Sequence, residues 1–144
     1  DFGNNFIFLY GMDPFVFLTK NNVKLDVCFQ LCCRSVNHVE WLPLDQEINK
    51  SVWENRYYDA DKAVYRLAEK DELIHLVSRC IFDKMKFPEE YQMRINELFN
   101  NVDQDALYAD LELVLFRFAP ECIKMIEKKE FDRIRETYIS FSKY

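Results

Sequence analysis

From Val23 onward, apolar positions recur at helical spacing and organise most of the chain. Val27, Leu31, Cys32, Val36 and Val39 approximate one face of a helix, with Asp26, Gln30, Arg34 and Asn37 largely off it. The spacing predicts a helix capped by Asn22, with Asp26 near its positive end, that stops at Pro43. Asp45 is placed to cap a second helix, whose core side would be Ile48, Val52, Trp53, Tyr57 and Ala60. Continuation through Ala63, Val64 and Leu67 makes that helix long, until Lys70-Asp71 interrupts it. Leu73-Ile74-His75-Leu76-Val77 is short, apolar and rich in branched residues, and periodicity does not separate strand from helix there.

Pro88 suits a first helical turn, where its missing N–H has no partner to lose. Met93, Ile95, Leu98 and Phe99 follow, before a stop at Asn100-Asn101. Asp103 or Asp105 then caps a helix over Ala106–Phe118, in which Leu107, Leu111, Val114, Leu115 and Phe118 repeat at three and four. Apolar residues nearly surround Leu111–Phe118, which predicts a helix buried in the middle of the fold and closed by Pro120. Glu127–Tyr144 reads as an amphipathic helix, with Phe131, Ile134, Tyr138 and Phe141 on one side. Residues 1–22 are an N-terminal arm in which Gly11 and Asp13-Pro14 punctuate two aromatic runs, as loop, short helix or extended chain. Residues 23–144 form one helical domain.

Composition sharpens this picture. The chain has 144 residues, of which 49% are hydrophobic, including 13 Phe and 8 Tyr, so a core is expected and disorder is not. Only 2 Gly and 4 Pro leave little punctuation for hairpins. A formal net charge of -6 argues against direct contact with nucleic acid, which needs a basic face. The longest apolar runs, Phe6–Tyr10 and Val27–Cys33, are too short for a bilayer span. The 5 Cys include no CxxC pair, which points to a reduced, intracellular protein, and neither His38 nor His75 stands at zinc-ligand spacing from them.

Four stretches, in order, resemble nuclear receptor ligand-binding domains over about residues 24–144. The first is Val39-Glu40-Trp41 running into Leu42-Pro43-Leu44-Asp45-Gln46, with Trp53 following, similar to the family's signature between helices 3 and 5. Ala63–Asp71 (AVYRLAEKD) resembles the end of helix 5 entering a small β-turn, and Cys80-Ile81-Phe82-Asp83 resembles the entry to helix 7. Leu111–Glu121 (LELVLFRFAPE) and Glu130–Tyr144 are similar to helices 8 and 9. The resemblance implies an all-α fold, a nuclear-receptor-like helical sandwich with at most a small β-turn or hairpin, in a divergent, nematode-type member. It implies a regulatory domain of a nuclear transcription factor that binds a lipophilic small molecule, a coregulator or a dimer partner. The ligand lining carried over is Cys28, Leu31, Cys32, Trp53, Tyr57, Ile81 and Phe82. The family's coactivator-clamp lysine has no counterpart between Trp41 and Leu42, and nothing resembles helices 10 to 12, so the domain is expected to be incomplete at its C-terminus.

The residues themselves nominate no catalytic group, metal or cofactor. Glu89-Glu90 and Asp103/Asp105 are paired carboxylates, but they sit at helix starts, where the dipole favours acids. His38 and Glu40 are two positions apart and face different sides of a helix. Cys32-Cys33 has no evident base beside it, and two glycines build no phosphate loop. A ligand-free helical interaction module, in an unrelated regulatory or viral protein, is the alternative reading.

Overall fold

The computed structural model describes residues 6–7, 15–18, 24–27, 30–34 and 41–143. The chain divides into two compact units, Asp1–Leu44 and Asp45–Tyr144. Among the described residues it is mostly helical, with six α-helices and three small antiparallel sheets.

The described residues of the first unit lie mostly in strands. β1 (Phe6–Ile7), β2 (Phe15–Leu18) and β3 (Lys24–Val27) form one antiparallel sheet in that order, with Phe17 opposite both Phe6 and Leu25. β4 (Cys32–Arg34) and β5 (Trp41–Pro43) form a second pair, and Leu44 N–H donates to the Leu31 carbonyl at 2.8 Å just beyond it. The helix expected over Val23–Val39 is therefore not formed. Lys24-Leu25-Asp26-Val27 alternates polar and apolar at the period of a strand, a signal that a longer helical window averages away. Pro43, which has no N–H to donate, takes the last place of β5, where a ladder tolerates it. Asn22, Cys28, Val36, Asn37, His38, Val39 and Glu40 lie outside the described residues. The strands exceed the single small hairpin that the resemblance implied.

In the second unit α1 (Gln46–Asn55) starts where Asp45 was expected to cap it, with Asp45 Oδ1 accepting from Glu47 N–H at 2.8 Å. It does not continue to Leu67. Tyr57-Tyr58 and Val64-Tyr65 are aromatic and branched residues suited to strands, and they form the hairpin of β6 (Tyr57–Asp59) and β7 (Val64–Arg66). Asp59 fixes its turn by accepting from Lys62 N–H at 3.1 Å and pairing with Arg66 at 3.4 Å. Lys70-Asp71 is no break but the first turn of α2 (Glu69–Arg79), which resolves Leu73–Val77 as helix. Three acids, Glu69, Asp71 and Glu72, stand in that turn, where the helix dipole favours them.

α2 passes into a π-helical turn, Cys80–Lys84, ended by Met85 in the left-handed conformation (φ 56°). Pro88 then leads into α3 (Glu89–Asn101). The Arg94 guanidinium grips Glu72 with two hydrogen bonds of 2.8 and 2.7 Å, tying α3 to α2 and holding the Glu72 carboxyl below its usual range. Asp103 caps α4 (Gln104–Leu115) through the Ala106 N–H at 2.8 Å. Leu107, Leu111 and Leu115 of α4 are buried, whereas Glu112 and Leu113 are exposed, so this helix has one covered face and is not central. Pro120 opens a helix instead of closing one: after a 3-10 turn at Phe116–Phe118 it sits in the first turn of α5 (Ala119–Glu127).

α5 ends in a Schellman arrangement. Lys129 is left-handed (φ 57°), its N–H donates to the Ile126 carbonyl and the Glu130 N–H to that of Met125, both at 2.9 Å. The chain turns there into α6 (Phe131–Ser142), which buries Phe131 and Ile134 as its periodicity predicted.

Candidate functional site

The elbow between α4 and α5 is where the local sequence departs furthest from regular structure. Phe116, the residue that ends α4, has φ 51° and ψ −133°, a conformation natural to glycine and strained for a side chain with a Cβ. Its ring is 70% exposed, although Phe is one of the costliest residues to leave in water. The next two residues divide: Arg117 is exposed and Phe118 is 1% exposed beneath them.

α6 lies alongside this elbow. Tyr138 meets Phe118 edge-on at 5.5 Å, and Phe141 meets the same ring at 5.3 Å. Phe82, from the π-helical turn, meets the other side of Tyr138 at 5.3 Å and nearly perpendicular, an arrangement favoured by ring quadrupoles. Between elbow and helix runs a cleft of about 840 Å³, partly open to solvent, lined by Leu115, Phe116, Arg117, Phe118, Tyr138, Ser140, Phe141 and Ser142. That volume lies in the range of small-molecule sites, which are apolar with a few polar anchors. Arg117 is the single charged residue on the lining. The Ser142 hydroxyl donates to the Ile139 carbonyl at 2.9 Å and is satisfied within α6. Burial raises the Tyr138 phenol above its ordinary value, so its hydroxyl stays protonated.

No family model, curated protein or solved structure matches the chain. The site therefore stands on its own geometry.

Of the ligand-lining residues carried over from the resemblance, none lines this cleft. Cys28 lies outside the described residues, and Leu31 and Cys32 belong to the first unit. Trp53 and Tyr57 are 52% and 46% exposed, on α1 and the hairpin, so Trp53 is not the core centre that the helical pattern expected. Ile81 is buried and Phe82 touches the cleft only through Tyr138. Phe118, Tyr138 and Phe141 were legible as helix-face residues, but not as a site. Phe116, Arg117, Ser140 and Ser142 were not singled out at all. The available signal was the Phe-Arg-Phe alternation at residues 116–118, which places a cation inside a stretch otherwise read as a continuous apolar stripe.

Several titratable groups elsewhere in the unit hold helices together or are simply buried. Asp71 is fully buried, and its Oδ1 accepts from the Ser51 hydroxyl at 2.9 Å, linking α2 to α1. Burial pushes its carboxyl up, against the opposing pull of Ser51 and Lys70. Lys70 pairs with Asp110, which links α2 to α4. Burial holds the His75 imidazole neutral by lowering its pKa. Cys80 and Cys122 are free and buried, with thiols pushed up to about 12, far from thiolate chemistry. Among the described residues no three His, Cys, Asp or Glu side chains gather as a metal site, and no helix is long and apolar enough to cross a membrane.

Proposed function

We propose that residues 45–144 act as a binding module whose site is the cleft between α6 and the α4–α5 elbow, taking a lipophilic small molecule. The observation that carries this reading is Phe116. A strained backbone that holds an exposed aromatic ring at the mouth of an apolar cleft costs stability, and ligand contact is the return that accounts for it. Binding there would bias the packing of α6, as a ligand that prefers one conformation shifts a population. Such a response suits the regulatory role of a nuclear receptor-like transcription factor, with a nuclear location and a coregulator or dimer partner, and that role is proposed on the resemblance alone.

The test is titration of the chain with Nile red, an uncharged lipophilic dye, followed by fluorescence. Saturable one-to-one binding that is lost in Ser140→Trp, a substitution at an exposed position that fills the cleft, is the expected result. Binding that Ser140→Trp leaves intact would refute the site.

A second reading rests on a different surface. Trp53, Tyr58, Val64 and Tyr65 are exposed together around the β6–β7 hairpin, with the Arg56 guanidinium 5.1 Å from the Trp53 ring and 5.3 Å from that of Tyr65. An exposed aromatic patch with an arginine in it has the composition of a protein-interaction hot spot. It favours the helical interaction module that the sequence left as the alternative.

A further inference from the structure

The cleft is polarised, apolar within and cationic at its solvent side. Its apolar floor and walls are Phe118, Tyr138 and Phe141, and its one ionic group is Arg117, at the solvent side. Arg117 forms no ion pair among the described residues, and neither does Ser140 use its hydroxyl in a hydrogen bond there. A guanidinium presents several donors in a planar fork that suits a carboxylate or another oxyanion. Beside an apolar cleft, that fork selects a molecule with a hydrocarbon body and one anionic end.

We infer that the cleft binds a single-chain amphipathic monoanion, with its hydrocarbon tail among Phe118, Tyr138 and Phe141 and its oxyanion head on Arg117. The inference rests on the cleft being a binding site and adds the class of its ligand. Three observations support it together. The lining carries one positive charge and no negative one. The protonated Tyr138 hydroxyl and the Ser140 hydroxyl are donors that an anion accepts from and a cation does not. The cleft is open at one side, so a charged head stays hydrated while the tail leaves water. The overall charge of -6 repels anions at long range, which makes the local guanidinium the deciding contact and gives binding a strong dependence on that one residue.

The experiment is calorimetric titration of the full chain with dodecanoate, dodecanol and dodecyltrimethylammonium, each below its micelle concentration. The same series is run on Arg117→Gln, an exposed position, and on Ser140→Trp. Dodecanoate is expected to bind one-to-one and about tenfold to a hundredfold more tightly than dodecanol, the ratio of a charge-assisted contact, with the cation weakest. Arg117→Gln should bring dodecanoate down to the level of dodecanol and leave dodecanol unchanged, and Ser140→Trp should abolish both. Equal binding of dodecanoate and dodecanol to the wild type, lost in Ser140→Trp, would overturn the anionic class and leave the cleft reading standing. Binding that is absent, or that Ser140→Trp does not reduce, would overturn both.

Discussion

Replacing Phe116 should reverse the ordinary order of alanine and glycine. In a regular helix interior, glycine is less stable than alanine by about 1 kcal/mol. At residue 116 the backbone stands at φ 51° and ψ −133°, where a Cβ is crowded and its absence is not. That strain is on the order of 1–3 kcal/mol and stays in Phe116→Ala, whereas Phe116→Gly releases it. Glycine gives back about 0.4–1 kcal/mol through its freer unfolded chain. Both variants lose the ring contacts. The side chain is 70% exposed, so 30% (100 − 70) is covered. With about 200 Å² for a fully buried Phe and about 25 cal/mol per Å², the covered part contributes about 1.5 kcal/mol. Phe116→Ala should therefore cost about 1.5 kcal/mol, and Phe116→Gly about 1 kcal/mol less than that. Urea unfolding followed by far-UV circular dichroism measures both differences, provided the slopes match. An alanine variant more stable than the glycine variant would show that residue 116 is not strained. A loss of 3 kcal/mol or more in both would show the ring to be buried. Either result would remove the support that Phe116 lends to the cleft.

Two further outcomes follow from the second unit. Trp53→Ala should cost only about 1.5–2.5 kcal/mol, roughly half the cost for a core aromatic, because Trp53 is 52% exposed and part of its contact is the Arg56 guanidinium. A loss of 4 kcal/mol in denaturant unfolding would return Trp53 to the core. His75 gives the chain an acid-side weakness. Burial lowers its pKa in the folded state, so below the unfolded value of 6.5 the unfolded chain binds the extra proton. Its stabilising share is present above that pH and is lost as pH falls, with a slope of at most about 1.4 kcal/mol per pH unit. His75→Gln should flatten the fall in stability below about pH 6.5, and parallel profiles for the two proteins would refute the assignment.

Helix caps and amphipathic faces were the legible part of this fold. Asp45 and Asp103 accept the N–H groups at the helix starts where they were expected, because capping is local and needs no tertiary partner. Phe131 and Ile134 bury together because α6 keeps its apolar stripe to one side. What failed were stretches in which two periods compete. Lys24–Val27 satisfies both a helical stripe and a strand alternation, and only pairing with β2 decides between them. Tyr57–Arg66 continued the helical pattern of α1 on paper, while its aromatic and branched residues found partners across a turn. The candidate site was hidden for a related reason. Phe116 and Phe118 are two positions apart, and the left-handed backbone at residue 116 sends one outward and the other into the core. No side-chain pattern announces a strained torsion.

The order of packing along residues 45–144 also bears on how quickly this unit assembles. α1 packs on α2, α2 on α3, α4 on α5 and α5 on α6, each on its neighbour in sequence. Among the more extensive contacts, those of α2 with α4 and of α6 with the π-helical turn close longer stretches of chain. Loops of this kind are cheap to close, and domains dominated by such contacts fold in microseconds to milliseconds. Relaxation after a temperature jump should lie on that scale. The elbow meets α6 through Phe118, whose ring touches Tyr138 and Phe141, so the cleft exists only once α4, α5 and α6 have all packed, and fraying of α6 would open it.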